Sequence, residues 1–344
     1  GQGDINSRSI GIEVDNGGDH QGLLKLLADS KYNDLSVAEM SPAGTDLALQ
    51  FGLNLKSAES SILSFMEKGA PAEDIAEFKS SMTEEVPMLG VTTSELLQKL
   101  DMRVNVALDL DPNEQMATPL GSFDKPNLVI RLDGISWIWD KVGAMAIGGT
   151  GLPFEKAEAD GVTTFSLPAE MAAQFMGFLP EVRVDSTNDQ IWIASSSDFL
   201  NKCTSGSNTL SSSQAYKDTV AGLPSEGQVM TYMSKDFASF LSKTIGDVKE
   251  KGMLEGADEA TKAQIELGLT QLNKINTGAA QIVSANSTGV AIAERGVQNI
   301  EQQISEVNKA LEQMKQAKEE KAQELEKRIE DLEAQADDHS GHDH

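Results

Sequence analysis

The sequence predicts an α+β fold in which antiparallel sheets are covered on one side by helices. Three observations carry this prediction. Strand-like segments such as Met102–Leu110 (MRVNVALDL) alternate apolar and polar residues with a period of two, the mark of strands buried on one face. Three such segments run directly into amphipathic helical stretches. Finally, Val297 to Asp337 contains neither Gly nor Pro and is dominated by Glu, Gln, Lys and Ala, so it reads as one long charged helix.

Taken in order, residues 1–18 (GQGDINSRSIGIEVDNGG) are polar and Gly-rich and read as a terminus or linker. A short helix at Gln21–Leu27 completes an N-terminal segment over residues 1–45. The body spans 46–295. Its first strand–helix unit is Asp46–Leu55 followed by Ser57–Lys68, with Ile62, Leu63, Phe65 and Met66 on the helix. The second is Asn127–Leu132 followed by Gly134–Met145, with Ile135, Ile138, Trp139 and Val142. The third is Gln228–Met233 followed by Lys235–Val248, with Phe237, Phe240, Leu241 and Ile245. Each helix opens at Ser, Asp or Gly, residues that suit a cap. Units recurring at roughly ninety residues suggest diverged repeats, over 46–120, 127–205 and 228–295. Further strands are expected at Thr163–Leu167, Glu181–Val184 and Gln190–Ala194, and a hairpin at Ala280–Ser284 and Gly289–Ala293.

In the predicted C-terminal helix (296–337), Ile300, Ile304, Val307, Leu311 and Met314 keep a 4-3-4-3 spacing that offers an interface. The seam is then interrupted by Lys318 and Lys321. Packing on its own body, a coiled coil with another chain and a solvated tail are all open to it.

Composition narrows the function. The 344 residues suffice for one large or two ordinary domains. A formal net charge of -26 makes nucleic acid a poor partner, because neutralising phosphates needs clustered Lys and Arg. No apolar run approaches the ~18 residues of a spanning helix. The single Cys203 rules out an internal disulfide framework, and the chain opens at Gly1 rather than Met, as expected of a truncated or processed form.

Thr92–Pro112 brings a short helix into a strand that ends on acidic residues; Ile191–Leu200 is a strand followed by a Ser-capped helix, and Thr209–Pro224 follows it with a Leu, an aromatic helix and Leu-Pro. In this order the segments resemble a broad family of bacterial envelope proteins known only as a domain of unknown function, over about residues 45–295. The resemblance implies an exported protein or lipoprotein, periplasmic or on the cell surface, with antiparallel sheets and helices. It brings no catalytic residues. The function expected is therefore non-catalytic: a structural or binding role toward another envelope protein, or self-association through the terminal helix. A carrier of an apolar, lipid-like ligand in a sheet–helix cavity is the second reading.

The third reading is metal binding by the tail, residues 338–344. His339, His342 and His344 stand among acidic residues, and imidazole with carboxylate at that density suits loosely held Zn, Cu or Ni. No other cofactor is expected. Asp109–Asn113 has the opening spacing of a calcium loop but Glu114 and Leu120 stand where Gly and Glu are needed, so it reads as a turn. Gly148–Pro153 lacks phosphate-loop spacing and reads as a loop. His20 is the only histidine outside the tail, so nucleophile–base sets have almost nothing to draw on, and Cys203 reads as a buried small residue. Trp137 and Trp139, two apart, should face different ways, and Met145, Met171, Met176, Met230 and Met233 suit either an ordinary core or an adaptable pocket.

Overall fold

The computed structural model describes residues 7–13, 23–118, 121–175, 177–252, 258–273, 275, 278–286 and 289–296. The chain divides into two units, Gly1–Val297 and Gln298–His344, and the second lies outside the described residues. The first begins with β1 (Ser7–Glu13), α1 (Leu23–Ala28), α2 (Ser36–Met40) and β2 (Leu47–Asn54). Then come α3 (Ala58–Met66), α4 (Ala72–Thr83), a two-residue ribbon of β3 (Glu85–Val86) and β4 (Val91–Thr92), and α5 (Thr93–Lys99). The long hairpin of β5 (Asp101–Thr118) and β6 (Gly121–Asp133) leads into α6 (Ser136–Gly149). After it follow β7 (Glu155–Ala159), β8 (Val162–Ser166), β9 (Glu181–Asp185), β10 (Gln190–Ala194), α7 (Ser197–Thr204) and α8 (Gln214–Val220). The unit closes with β11 (Val229–Met233), α9 (Lys235–Glu250), α10 (Glu259–Leu272), β12 (Ala279–Ala285) and β13 (Gly289–Arg295).

The architecture is α+β, built on one antiparallel sheet of eleven strands among the described residues, in the order β1-β13-β12-β11-β2-β5-β6-β10-β9-β8-β7. At its centre β2 pairs β5 on one side and β11 on the other, with Ala48 opposite both Ala107 and Tyr232. Because alternate residues point to opposite faces, register assigns each side chain. One face, the inner one, carries Ala48, Gln50, Asn105, Val129, Trp192 and Tyr232; the other, the open face, carries Leu49, Phe51, Val106, Ile130, Ile193 and Thr231.

Helices lie on both faces, which corrects the expectation of helices on one side. On the inner face Val37, Ala38, Leu210 and Tyr216 pack on Ala48, Met230, Tyr232 and Ile282, and Phe199, Leu200 and Cys203 of α7 pack on Ala107, Val129 and Trp192. On the open face Ile135, Trp139 and Ile147 of the α6 region pack against Phe165, Val182, Val184 and Ile191. Ala238 of α9 and Leu272 of α10 cover Met233 and Ala279 at the other end. The reason is visible in β10 and β11, where neighbours such as Ile191 and Trp192, or Val229 and Met230, are apolar on both sides. Clean alternation in β5 had implied a single buried face. The middle of the open face is left part-uncovered, with Phe51 43% and Ile193 38% exposed.

The inner face is the more polar of the two at its centre, yet fully packed. Gln50 accepts from Val37 N and donates to the carbonyls of Asp34 and Gly227, while Asn54 donates to Asp29 O. These side chains satisfy the backbone of the irregular segment that crosses the sheet, whose peptide groups have no ladder of their own. Gly52 sits under the same segment: a Cβ there would lie 2.6 Å from Tyr32 O. Beside it, Asp133 accepts from Arg103 Nε (2.6 Å) and Asn105 Nδ2 (3.0 Å). Arg131 Nε lies 3.0 Å from Asp133 Oδ1 without the alignment of a hydrogen bond, and its other end donates to Ser36 Oγ. Arg103 also pairs with Asp34, so two buried guanidinium groups face two carboxylates. Burial pushes Arg131 below the usual guanidinium value, and Asp133 pulls it back.

All three predicted strand–helix passages occur, as β2–α3, β6–α6 and β11–α9. They share sequential order: α3 packs on α1, α4 and α5, α6 on β9, and α9 on α10. Three other expectations are corrected. Residues 7–13 are a strand rather than a linker, because β13 offers them a backbone ladder from Gly289 to Arg295. Asp109–Asn113 lies inside β5 and not in a turn; the register shift between Asp111 and Gln115 absorbs the irregularity, with Asn113 N donating to Asp111 Oδ1. The first two residues of the predicted Gly148–Pro153 loop continue α6. Among the described residues no helix is long and apolar enough to cross a membrane.

Candidate ligand-binding cleft

The third strand–helix unit builds a cleft on the open face. Ser234 follows β11 and caps α9 by accepting from Phe237 N (3.0 Å), so the strand passes directly into the helix. α9 then carries α10 back across the strands. Lys249 Nζ pairs with Glu266 Oε1 (2.7 Å), drawing the Glu266 carboxyl below its ordinary value, and Ser242 Oγ donates to Asn273 Oδ1 (2.6 Å). Held by these contacts, α10 stands over β11 and β12 and borders an open cleft of 410 Å³.

Met233, Ala279 and Thr231 form the floor, and Gly268, Leu272 and Ile275 the roof. The volume falls within the roughly 300–1,000 Å³ of small-molecule sites. Gly268 lines the roof, and a Cβ built there meets nothing within 4 Å. Glycine inside a helix costs roughly 0.5–1 kcal/mol against alanine, so α10 forgoes that stability at a residue that lines the cleft.

One charged group reaches this apolar space. Glu294 on β13 lies opposite Gln281 of β12 and Arg8 of β1 in register, and it lines the cleft. It is only 6% exposed. Its Oε2 receives a long contact, 3.4 Å, from Gln281 Nε2, and its Oε1 has no hydrogen-bond partner among the described residues.

The residues singled out in the sequence are largely elsewhere. His339, His342 and His344, and Ile300, Ile304, Val307, Leu311 and Met314, lie outside the described residues. Of the five methionines, Met233 reaches the cleft, Met230 is buried on the inner face, Met145 is 47% exposed, Met171 is half-buried and Met176 lies outside the described residues. Trp139 packs on Phe165 with ring centres 5.6 Å apart, whereas Trp137 lies under Lys99 Nζ, so the two do face different ways. Cys203 is buried in α7, and burial, with Asp109 nearby, pushes its thiol up to about 12, which leaves no thiolate to react. Asp109 is itself pushed up to about 6, by burial first and then by Asp46. Among the described residues no group of three or more His, Cys, Asp or Glu is placed to hold a metal ion.

Sequence reasoning missed Gly268, Leu272 and Glu294 altogether. Helix α10 was not predicted, and Glu294 lies near the end of β13, where an acidic residue looks like ordinary solvent-facing polarity. Comparison with protein-family models, curated proteins and solved structures finds no match to this chain.

Proposed function

We propose that this chain is a non-catalytic binding protein that takes an apolar small molecule, of lipid-like chain character, between α10 and the open face of the sheet. The observation that carries this reading is the 410 Å³ cleft between α10 and the sheet, which Gly268, Leu272 and Ile275 line on one side and Met233 and Ala279 on the other. The buried, unreactive Cys203 thiol supports a binding role over nucleophilic chemistry. An exported, envelope-located protein, as the resemblance over residues 45–295 implies, would meet such ligands at a membrane surface.

Gly268→Leu tests the reading without endangering the fold. The new side chain enters open space and removes a helix-interior glycine, so the variant should be more stable by roughly 0.5–1 kcal/mol. The wild-type chain should bind the neutral fluorophore N-phenyl-1-naphthylamine with a rise in emission, and the variant should not. Equal binding by a stabilised Gly268→Leu chain would place the probe elsewhere and sink the reading.

A further inference from the structure

We propose that the cleft selects cationic amphiphiles, holding an alkyl chain between α10 and the sheet and an ammonium head on Glu294. This rests on the reading of the cleft as an apolar-ligand site and adds the chemistry of the head group.

Burying a carboxylate is costly unless its oxygens are paired, and an unpaired buried acceptor costs more than a made bond returns. Glu294 is buried, Oε1 has no partner among the described residues, and the residue lines a mostly apolar cleft with Met233, Leu272, Ile275 and Ala279, beside Thr231 and Gln281. A ligand head that donates hydrogen bonds would satisfy that oxygen. A positively charged head would also gain from the low-dielectric surroundings, where a charge pair is far stronger than in water. A fatty-acid carboxylate would meet a like charge there, within a protein of formal net charge -26. Chain and head therefore select together: the apolar walls take the alkyl part and Glu294 discriminates the charge.

The test is displacement of N-phenyl-1-naphthylamine from the full chain by dodecylamine, dodecanol and dodecanoate, in buffer near physiological salt so that exposed charges are screened beyond about 8 Å. The expected order of affinity is amine, alcohol, carboxylate, with about a tenfold or larger gap between the first and last. Glu294→Gln keeps the shape and removes the charge, and should shrink that gap to about threefold or less while the fluorophore still binds. Amine and carboxylate binding alike to the wild-type chain would overturn the inference, since Glu294 would then not discriminate the charge of the head group. A gap that survives in Glu294→Gln would overturn it too, since the acidic surface as a whole would then attract the amine. Both results leave the apolar cleft standing. Failure of the fluorophore and of all three competitors to bind would remove the cleft reading itself.

Discussion

Asp109 carries a cost that pH can expose. Its carboxyl is pushed up to about 6 in the folded chain, whereas unfolded it titrates near 4. Below about pH 4 the group is protonated in both states and is no burden. As the pH rises from about 4 through 6 the unfolded chain ionises first, so the stability present at low pH is progressively lost, and above 6 the loss is complete. Asp109→Asn should therefore be more stable than wild type near pH 8, by ~1 kcal/mol after allowing for solvent around a half-buried group, and no more stable near pH 3.5. Urea denaturation at the two pH values reads the difference. An advantage that is the same at both would show that the carboxylate's charge is not its cause. Asp133, buried on the inner face, has Arg103, Arg131 and Asn105 around it.

At the scale of elements, the joint between β11 and α9 depends on one hydroxyl. Ser234 Oγ accepts from Phe237 N and donates to Asp46 Oδ1, while Asp46 Oδ2 accepts from Leu110 N, so β11, α9 and β5 are tied through two side chains. Ser234→Ala removes both bonds and should cost ~1–2 kcal/mol in chemical denaturation. Because that joint aims α9 and hence α10, the same variant should also weaken fluorophore binding. Most of this unit was legible in the sequence: β11 alternates, Ser234 is a ready cap, and Phe237 and Phe240 follow at helical spacing. Helix α10 was not, because Gly268 interrupts its apolar pattern and its neighbours Ala263 and Thr270 give no clear stripe. β1 was missed for another reason. Apart from Ile10 and Ile12 its residues are weak strand formers, and the edge of β13, supplied from far along the chain, gives them a ladder. The cleft was illegible since it needs three strands and a helix brought together from separate stretches of sequence.

At the largest scale, the eleven-stranded sheet of the described residues has a protected middle and thin margins. β2 has neighbours on both sides and helices over its inner face, whereas β7 is an edge strand with all five residues exposed. Amide hydrogen exchange should accordingly be slowest in β2, β5 and β11 and fastest among the strands in β7, the margin opening without the centre. Exchange of β7 and β2 at one common rate would instead mean that the sheet opens only as a unit.

The pairing of β2 with β11 joins residues 47–51 to residues 229–233. A ribosome adding about 5–20 residues each second needs roughly 10–40 s to make the stretch between them. Once β5 has been made, and until β11 arrives, the nascent β2 has β5 on one flank and an unpaired edge on the other, beside the apolar surface of Leu49 and Phe51. The newly made half-sheet is thus a template for foreign strands until its own arrives, and a chain cut short before residue 229 would keep that edge permanently.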